Sequence, residues 1–348
     1  MRSIGRFAGA VLGLGLAVMA SQTRAEAKLL TFADLQGWEA DDHQAALQSF
    51  LVTCDLLRGP DWKPICALAH EAVVSEAASK AFFELFFRPV QFGTPPALFT
   101  GYFEPELNGS KTRTSRYSWP VYRRPPELKD GMQWHDRATI ERGILRGRGL
   151  EIAWLDDPVD LFFMQIQGSG RIRLQDGSVV RLGYAGRNGH AYRSLGDALV
   201  ERGIMRSDQV SAEAIRAYIR RNPQMAGPLL NVNPSYVFFR KLDDLPPEAG
   251  PIGAMGRSIS TLRSLAIDPD FVPLGAPVWL EKDGVDPMWR LMVAQDTGGA
   301  IKGAQRADIF FGTGQEAGRK AGNIRDGGRM LVLLPIDRAY AVAAPESF

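Results

Sequence analysis

Hydrophobic and polar residues alternate along this chain with two different periods, and the change falls near Ala97. Before it the spacing is helical. From Asp41 to Leu57, the residues Ala45, Leu47, Phe50, Leu51 and Cys54 share one face, with Asp41 or Asp42 placed to cap the start. A second helix is expected near Ile65 to Val74. A third is expected from about Ser75, carrying Phe82, Phe83, Leu85, Phe86 and Phe87 toward Arg88-Pro89. Aromatic residues this dense belong to a core rather than to a sugar-stacking platform. These helices are expected to pack against a β domain formed later in the chain.

After Ala97 the runs shorten and the period falls toward two. Leu98 to Phe103, Trp119 to Tyr122, Ile152 to Leu155, Phe162 to Gln167 and Arg171 to Leu174 are expected strands, separated by Gly, Pro and Asp turns. Asp176-Gly177 is a hairpin turn signal. On the expected strand around residue 165, Gln165, Gln167 and Ser169 fall on one face, as a period of two requires. Tyr192 to Gly203 and Ser211 to Arg221 then follow as helices, one closed by a glycine and the other opened by a serine. The run 242–251, LDDLPPEAGP, has the composition of a linker. From Leu265 to Phe311 the chain returns to strand and turn, and it closes with the apolar run 330–334.

The first residues change the picture of where the protein works. Arg2 and Arg6 precede an apolar run from Phe7 to Ala20, followed by small-residue cleavage sites near Ala25 and Ala27. An export signal over 1–27 is expected, with a retained anchor as the alternative. The chain carries 41 basic and 39 acidic residues in 348; removal of Arg2, Arg6 and Arg24 reverses the balance to a net of −1. A nucleic-acid partner is not expected from so neutral a chain. Cys54 and Cys66 are the only cysteines, and in an exported protein they are expected as a disulfide, with two buried thiols as the alternative. With His43, His70, His135 and His190 scattered, no metal-ligand spacing is present and no metal is expected.

Candidate chemistry concentrates between Ala294 and Gly314, AQDTGGAIKGAQRADIFFGTG. Gly298, Gly299, Gly303, Gly312 and Gly314 frame two aspartates, Asp296 and Asp308, each beside apolar strand residues. A carboxylate at the edge of a buried strand must be hydrogen-bonded, paired or used chemically. Capping of turns is the structural alternative for both. The triplet 296–298 is Asp-Thr-Gly, but an aspartic protease needs two such aspartates sharing a proton, and the chain has one.

Several ordered motifs, taken together, resemble the MltA family of lytic murein transglycosylases and its 3D domain, named for three aspartates. The matching residues are Asp268 in IDPDFVPLG, Asp296 in DTGGAIKG and Asp308 in RADIFFG. FTGYFEPEL (99–107), MQIQGSGRI (164–172), YAGRNGHAYRSLG (184–196) and NPSYVFF (233–239) extend the resemblance over roughly 98–334. The resemblance implies a mainly β protein with N-terminal helices (α+β): a double-psi β-barrel domain from 28–103 and 241–348, a smaller inserted β domain from 104–240, and a substrate groove between them. It implies cleavage of the murein β-1,4 bond between N-acetylmuramic acid and N-acetylglucosamine, leaving 1,6-anhydro ends. Asp308 is then the acid/base, supported by Asp296, Asp268 and Lys302, with Lys302 either holding a carboxylate or solvated. Thr100, Gly101 and Tyr102, with Gln165, Gln167, Ser169, Tyr184, Asn188, Gly298 and Gly299, are expected around the glycan. His190 alone reads as structural. The partners expected are peptidoglycan strands and other cell-wall enzymes, and the protein is expected to be a monomer without cofactor. No cysteine lies at the cleavage site, so the expected form is periplasmic without the lipid anchor common in the family. A wall-binding module of expansin-like architecture that does not cut glycan is the competing reading.

Overall fold

The computed structural model describes residues 26–343. The expected export segment up to residue 25 lies outside the described residues, and Ala27 already belongs to the first strand, β1 (Ala27–Leu29). Three helices follow: α1 (His43–Leu51), α2 (Trp62–Ala72) and α3 (Glu76–Phe86). Asp42 caps α1 by accepting from Ala45 N at 2.9 Å, and Ser75 caps α3 through Ala78 N. The expected first helix is cut short at Leu51, where the chain turns into the 3-10 segment Cys54–Leu56. Cys54 is bonded there to Cys66 on α2.

The chain then lays down β2 (Phe87–Phe92) and β3 (Leu98–Glu104) and leaves for a second sheet. That sheet holds β4 (Glu106–Ser110), β5 (Trp119–Tyr122), β6 (Glu151–Leu155), β7 (Gly170–Leu174), β8 (Val179–Arg187) and β9 (Val237–Lys241), in the order β5-β6-β4-β7-β8-β9. Its helices are α4 (Arg137–Thr139), α5 (Pro158–Gln167), α6 (Leu195–Glu201), α7 (Ala212–Arg221) and α8 (Ala226–Leu230). The chain returns through β10 (Ser264–Ile267), β11 (Pro277–Lys282), β12 (Met288–Thr297), β13 (Arg306–Thr313), α9 (Gly314–Gly322), β14 (Arg325–Asp326), β15 (Gly328–Pro335) and α10 (Ile336–Ala343). These strands join the first three in a nine-stranded sheet, β1-β2-β15-β11-β12-β10-β13-β3-β14. Parallel pairs β10–β12 and β13–β3 sit among antiparallel neighbours, and the sheet curls into a double-psi β-barrel with the smaller β domain inserted beside it.

The dense aromatics of the helical region are core. Phe50, Phe82, Phe83 and Phe87 are almost fully buried in one cluster with Trp279, Leu280, Val332 and Leu333 of the barrel. Removing this much apolar surface from water is what fixes the helices to the sheet. A polar pin supplements it: Gln295 on β12 donates to Ser49 O at 2.8 Å and to Thr53 Oγ1 at 3.0 Å.

One expected strand is a helix. Phe162 to Gln167 lies in α5, started by Asp157, whose side chain accepts from Val159 N, and by Pro158 in the first turn. Gly168, at φ 77°, ends it. Val159 and every residue from Leu161 to Gln165 are buried, so the element is apolar nearly all round and its 3.6 period is hidden in a continuous run. Gln165, Gln167 and Ser169 therefore do not share a strand face.

The segment read as a linker has no helix or strand, yet it is tied down. Arg171 and Arg181 of β7 and β8 donate to the carbonyls of Pro246, Pro247 and Ala249. Both guanidiniums also meet the fully buried Glu104 at the end of β3, which accepts in addition from Thr313 Oγ1 at 2.8 Å. One carboxylate thus joins both sheets and the return crossing.

Candidate active site

Register puts the two central aspartates on one rung. Asp296 of β12 stands opposite Ala266 of β10, Ala266 opposite Asp308 of β13, and Asp308 opposite Thr100 of β3. Neighbouring strands lie about 4.8 Å apart, which sets the aspartate backbones at roughly 10 Å across the intervening strand. Tyr102, two residues beyond Thr100 on the same face of β3, bridges back to Asp296 with its hydroxyl at 3.0 Å.

The two carboxyls have different freedom. Asp296 accepts from Tyr102 Oη, from Ala254 N at 2.9 Å and from Thr297 N at 2.9 Å. Burial nonetheless pushes it up to about 6, against those hydrogen bonds and with the Asp308 charge adding to the rise. Asp308 accepts on Oδ1 alone, from the Thr100 hydroxyl at 2.6 Å. Its burial also raises it above the ordinary carboxylate range, opposed by Thr100 and by the Arg306 charge. The expected apolar flank is present, with Ala307, Ile309 and Phe310 buried on either side.

Arg306 was not singled out by the sequence, although its place two residues before Asp308 puts it on the same strand face. It donates to Thr100 Oγ1 at 2.8 Å and to the carbonyls of Leu98 and Ala307. A guanidinium is donor-only, so Thr100 accepts from Arg306 and turns its own proton toward Asp308.

The third aspartate is a structural clamp. Asp268 is buried and accepts from Lys302 Nζ at 2.9 Å and from Gly303 N at 2.9 Å. Lys302 therefore holds a carboxylate, although its side chain is largely exposed. Gly303, Gly312 and Gly314 take positive φ (114°, 104° and 87°), which frees the turns around Asp308 from Cβ strain. Gly298 and Gly299 do not. Gly101 serves close packing instead, since a Cβ there would come within 2.7 Å of Ala321 Cα on α9.

The remaining candidates separate by burial. Tyr184 is 48% exposed, and Arg187 at the end of β8 reaches within 3.1 Å of where a Gly299 Cβ would stand, placing the inserted domain beside the 298–303 turn. Gln167 gives its carbonyl oxygen to Phe103 N at 2.9 Å. Asn188 is fully buried, its amide donating to the His135 and Pro234 carbonyls and accepting from Tyr236 N, so it shapes the loop and offers nothing to a ligand. Gln165 and Ser169 are buried as well. His190 Nε2 donates to Trp134 O at 2.8 Å, a structural contact. His70 lies within 4.8 Å of both cysteine sulfurs, but these are bonded to each other rather than available as thiolates.

The rung that carries Asp296 and Asp308 lies on a double-psi barrel beside a second β domain, and the comparisons with known proteins give the same architecture. The profile of the MltA specific insert domain matches residues 98–240 and that of the 3D domain residues 263–334. Membrane-bound lytic murein transglycosylase A of Vibrio cholerae is 35% identical over 244 residues, 67% of this chain and 64% of its own length. The crystal structure of a membrane-bound lytic murein transglycosylase from Agrobacterium tumefaciens superposes with a TM-score of 0.81 at 32% identity, covering 91% of this chain and 99% of that one. Escherichia coli MltA, solved with bound chitohexaose, gives 0.72 at 30% identity, covering 89% and 94%. The chain belongs to the MltA family of lytic murein transglycosylases. It spans just under two thirds of the length of the curated relatives it matches, 62–65%.

Proposed function

We propose that this protein cleaves the glycan of murein as a lytic transglycosylase, with Asp308 as the single acid/base. The observation that carries this reading is the division of labour between the two aspartates. Asp296 is hydrogen-bonded on both oxygens, whereas Asp308 keeps Oδ2 free of protein partners among the described residues and is raised by burial. A carboxyl held above its ordinary range carries the proton that a leaving sugar oxygen needs.

In the first step Asp308 gives that proton to the O4 of the departing N-acetylglucosamine as its bond to C1 of muramic acid breaks. In the second, the resulting carboxylate takes the proton of the C6 hydroxyl of the same muramic acid while O6 bonds to C1. The ring closes as a 1,6-anhydro sugar, Asp308 is protonated again, and no water is consumed. Hydrolases use a second carboxylate to activate water or to attack C1; here the nearest other carboxyl, Asp296, is engaged. Its partial negative charge is placed to favour the oxocarbenium-like sugar. Thr100 and Tyr102 from the barrel, with Tyr184 and the Gln167 amide nitrogen from the inserted domain, are assigned to the glycan. We divide the chain into 28–103 with 241–348 and an insert of 104–240, with a groove between them; the presence of two separate sheets supports this reading. We place the working protein outside the cytoplasmic membrane, where murein lies; no helix among the described residues is long and apolar enough to cross a membrane.

The test is Asp308→Asn, nearly isosteric but unable to donate or accept this proton. Release of soluble fragments from purified murein should fall by about 10²–10⁴-fold with folding and glycan binding intact. Full activity in the folded variant would contradict the assignment.

A further inference from the structure

The inserted domain contains a second concave site that the cleavage chemistry does not use. A cavity of about 300 Å³ opens between β5, β6 and the start of α5. Its walls are aromatic: Trp119 and Trp154 on neighbouring strands, with Tyr122 and Tyr236 behind them. Tyr122 and Tyr236 are almost fully buried in a cluster with Ile140, Leu145 and Phe238, so the back wall is preformed.

Arg113 and Arg146 stand at the mouth, both exposed, and neither has a carboxylate within salt-bridge distance among the described residues. Arg113 lies over the Trp154 ring at 5.9 Å. The acid that lines the cavity, Glu141, is already paired with the buried Arg137, whose guanidinium packs on Phe162 and Tyr236 and donates to the Asn233 and Ser235 carbonyls. Glu151, opposite Tyr122 in register, is the other acid nearby. Two free guanidiniums against one uncommitted acid leave the mouth positive.

The site is apart from the cleft. Every lining residue falls between Arg113 and Tyr236, in the inserted domain, on its strands, helices and connecting loops, and the cavity touches α5 at Pro158 and Leu161. The other end of α5, at Gln167, is the end that meets β3. Six residues of helix, roughly 9 Å, separate Leu161 from Gln167.

The volume equals that of about ten liquid waters, room for one acylated sugar ring rather than a chain. Trp and Tyr faces suit the apolar side of a pyranose, and forked guanidiniums suit a carboxylate. We propose that this pocket binds a carboxylate-bearing N-acyl sugar, such as a muramic acid unit whose lactyl carboxyl is free, holding a second stretch of glycan while the cleft acts elsewhere. The choice of muramic acid rests on the murein reading above; the chemistry of the pocket does not.

The experiment is ligand-observed NMR titration of the full chain with N-acetylmuramic acid, N-acetylglucosamine and inorganic phosphate. N-acetylmuramic acid should bind with a component that Trp119→Ala and the pair Arg113→Ala, Arg146→Ala each weaken at least about tenfold. These three side chains are exposed at the surface, and circular dichroism of the variants checks that they fold. N-acetylglucosamine, lacking the carboxylate, should not show this component. Binding of N-acetylmuramic acid that is indifferent to all three substitutions overturns the proposal. So does displacement by phosphate at equal concentration, which would make the pocket a simple anion site. Murein cleavage measured on the same preparations separates the two readings. A chain that binds through Trp119 but cleaves nothing removes the transglycosylase assignment and keeps this one.

Discussion

Arg306 can only donate, and this fixes the direction of the hydroxyl proton that Thr100 offers to Asp308. That donated hydrogen bond favours the charged carboxylate, working against the burial that favours the acid. Thr100→Val removes the donor at nearly constant shape, and Arg306→Gln removes the nearby charge. Each should raise the Asp308 carboxyl further. The acid step needs the protonated form, so the fall of activity at high pH should move to higher pH in both variants, as read from the pH profile of kcat/KM. A limb that stays in place, or moves down, would mean that Thr100 and Arg306 only pack. Asp296 supplies a second expectation, on stability. Its folded carboxyl is raised from the ordinary 3.8 to about 6, so between these values the folded protein keeps a proton that the unfolded chain has lost. Stability contributed below that window is therefore lost as pH rises through it, by up to about 3 kcal/mol. Asp296→Asn, neutral throughout, should narrow the difference between Tm at about pH 4 and about pH 7.5 relative to wild type. An unchanged difference would contradict the raised value.

Among the elements, the join at Glu104 is the most exposed to a single substitution. A fully buried carboxylate there holds Arg171, Arg181 and Thr313 together. Glu104→Ala leaves two guanidiniums without their partner in a largely buried place and should cost about 3–5 kcal/mol in denaturant unfolding. A loss below about 1 kcal/mol would place the join in the class of weak surface pairs. Nothing in LDDLPPEAGP announces this anchoring. Its prolines and Gly250 mark a break, but the arginines that fix its carbonyls lie 65 to 78 residues earlier in the chain. The same limit applies across the site. The apolar flank of Asp308 and the turns at Gly303, Gly312 and Gly314 are local and legible, as are the cap at Ser211, the start of α3 near Ser75 and a cap for α1 at Asp41 or Asp42, of which the structure uses Asp42. The Thr100–Asp308 contact depends on parallel pairing of strands more than 200 residues apart, which no local period encodes. Helix α5 failed for a different reason. It is buried on nearly all sides, and only Asp157-Pro158 and Gly168 betray its ends. Asn188 sat in a polar loop that looked like a ligand site, and its three hydrogen bonds within the fold could be known only from the fold.

Across the whole molecule, on the proposed reading the barrel supplies the acid and the inserted domain the facing wall; Arg187 stands beside the 298–303 turn. The central claim is that one carboxyl moves one proton out and one proton in, with the sugar's own hydroxyl as nucleophile. It is tested most directly by digesting purified murein in ¹⁸O-water and weighing the released muropeptides. The account predicts muramic acid ends lighter by one water than reducing ends, carrying no ¹⁸O. Reducing muramic acid ends that carry ¹⁸O would mean that water attacks C1, and the single-carboxyl mechanism assigned to Asp308 would be wrong.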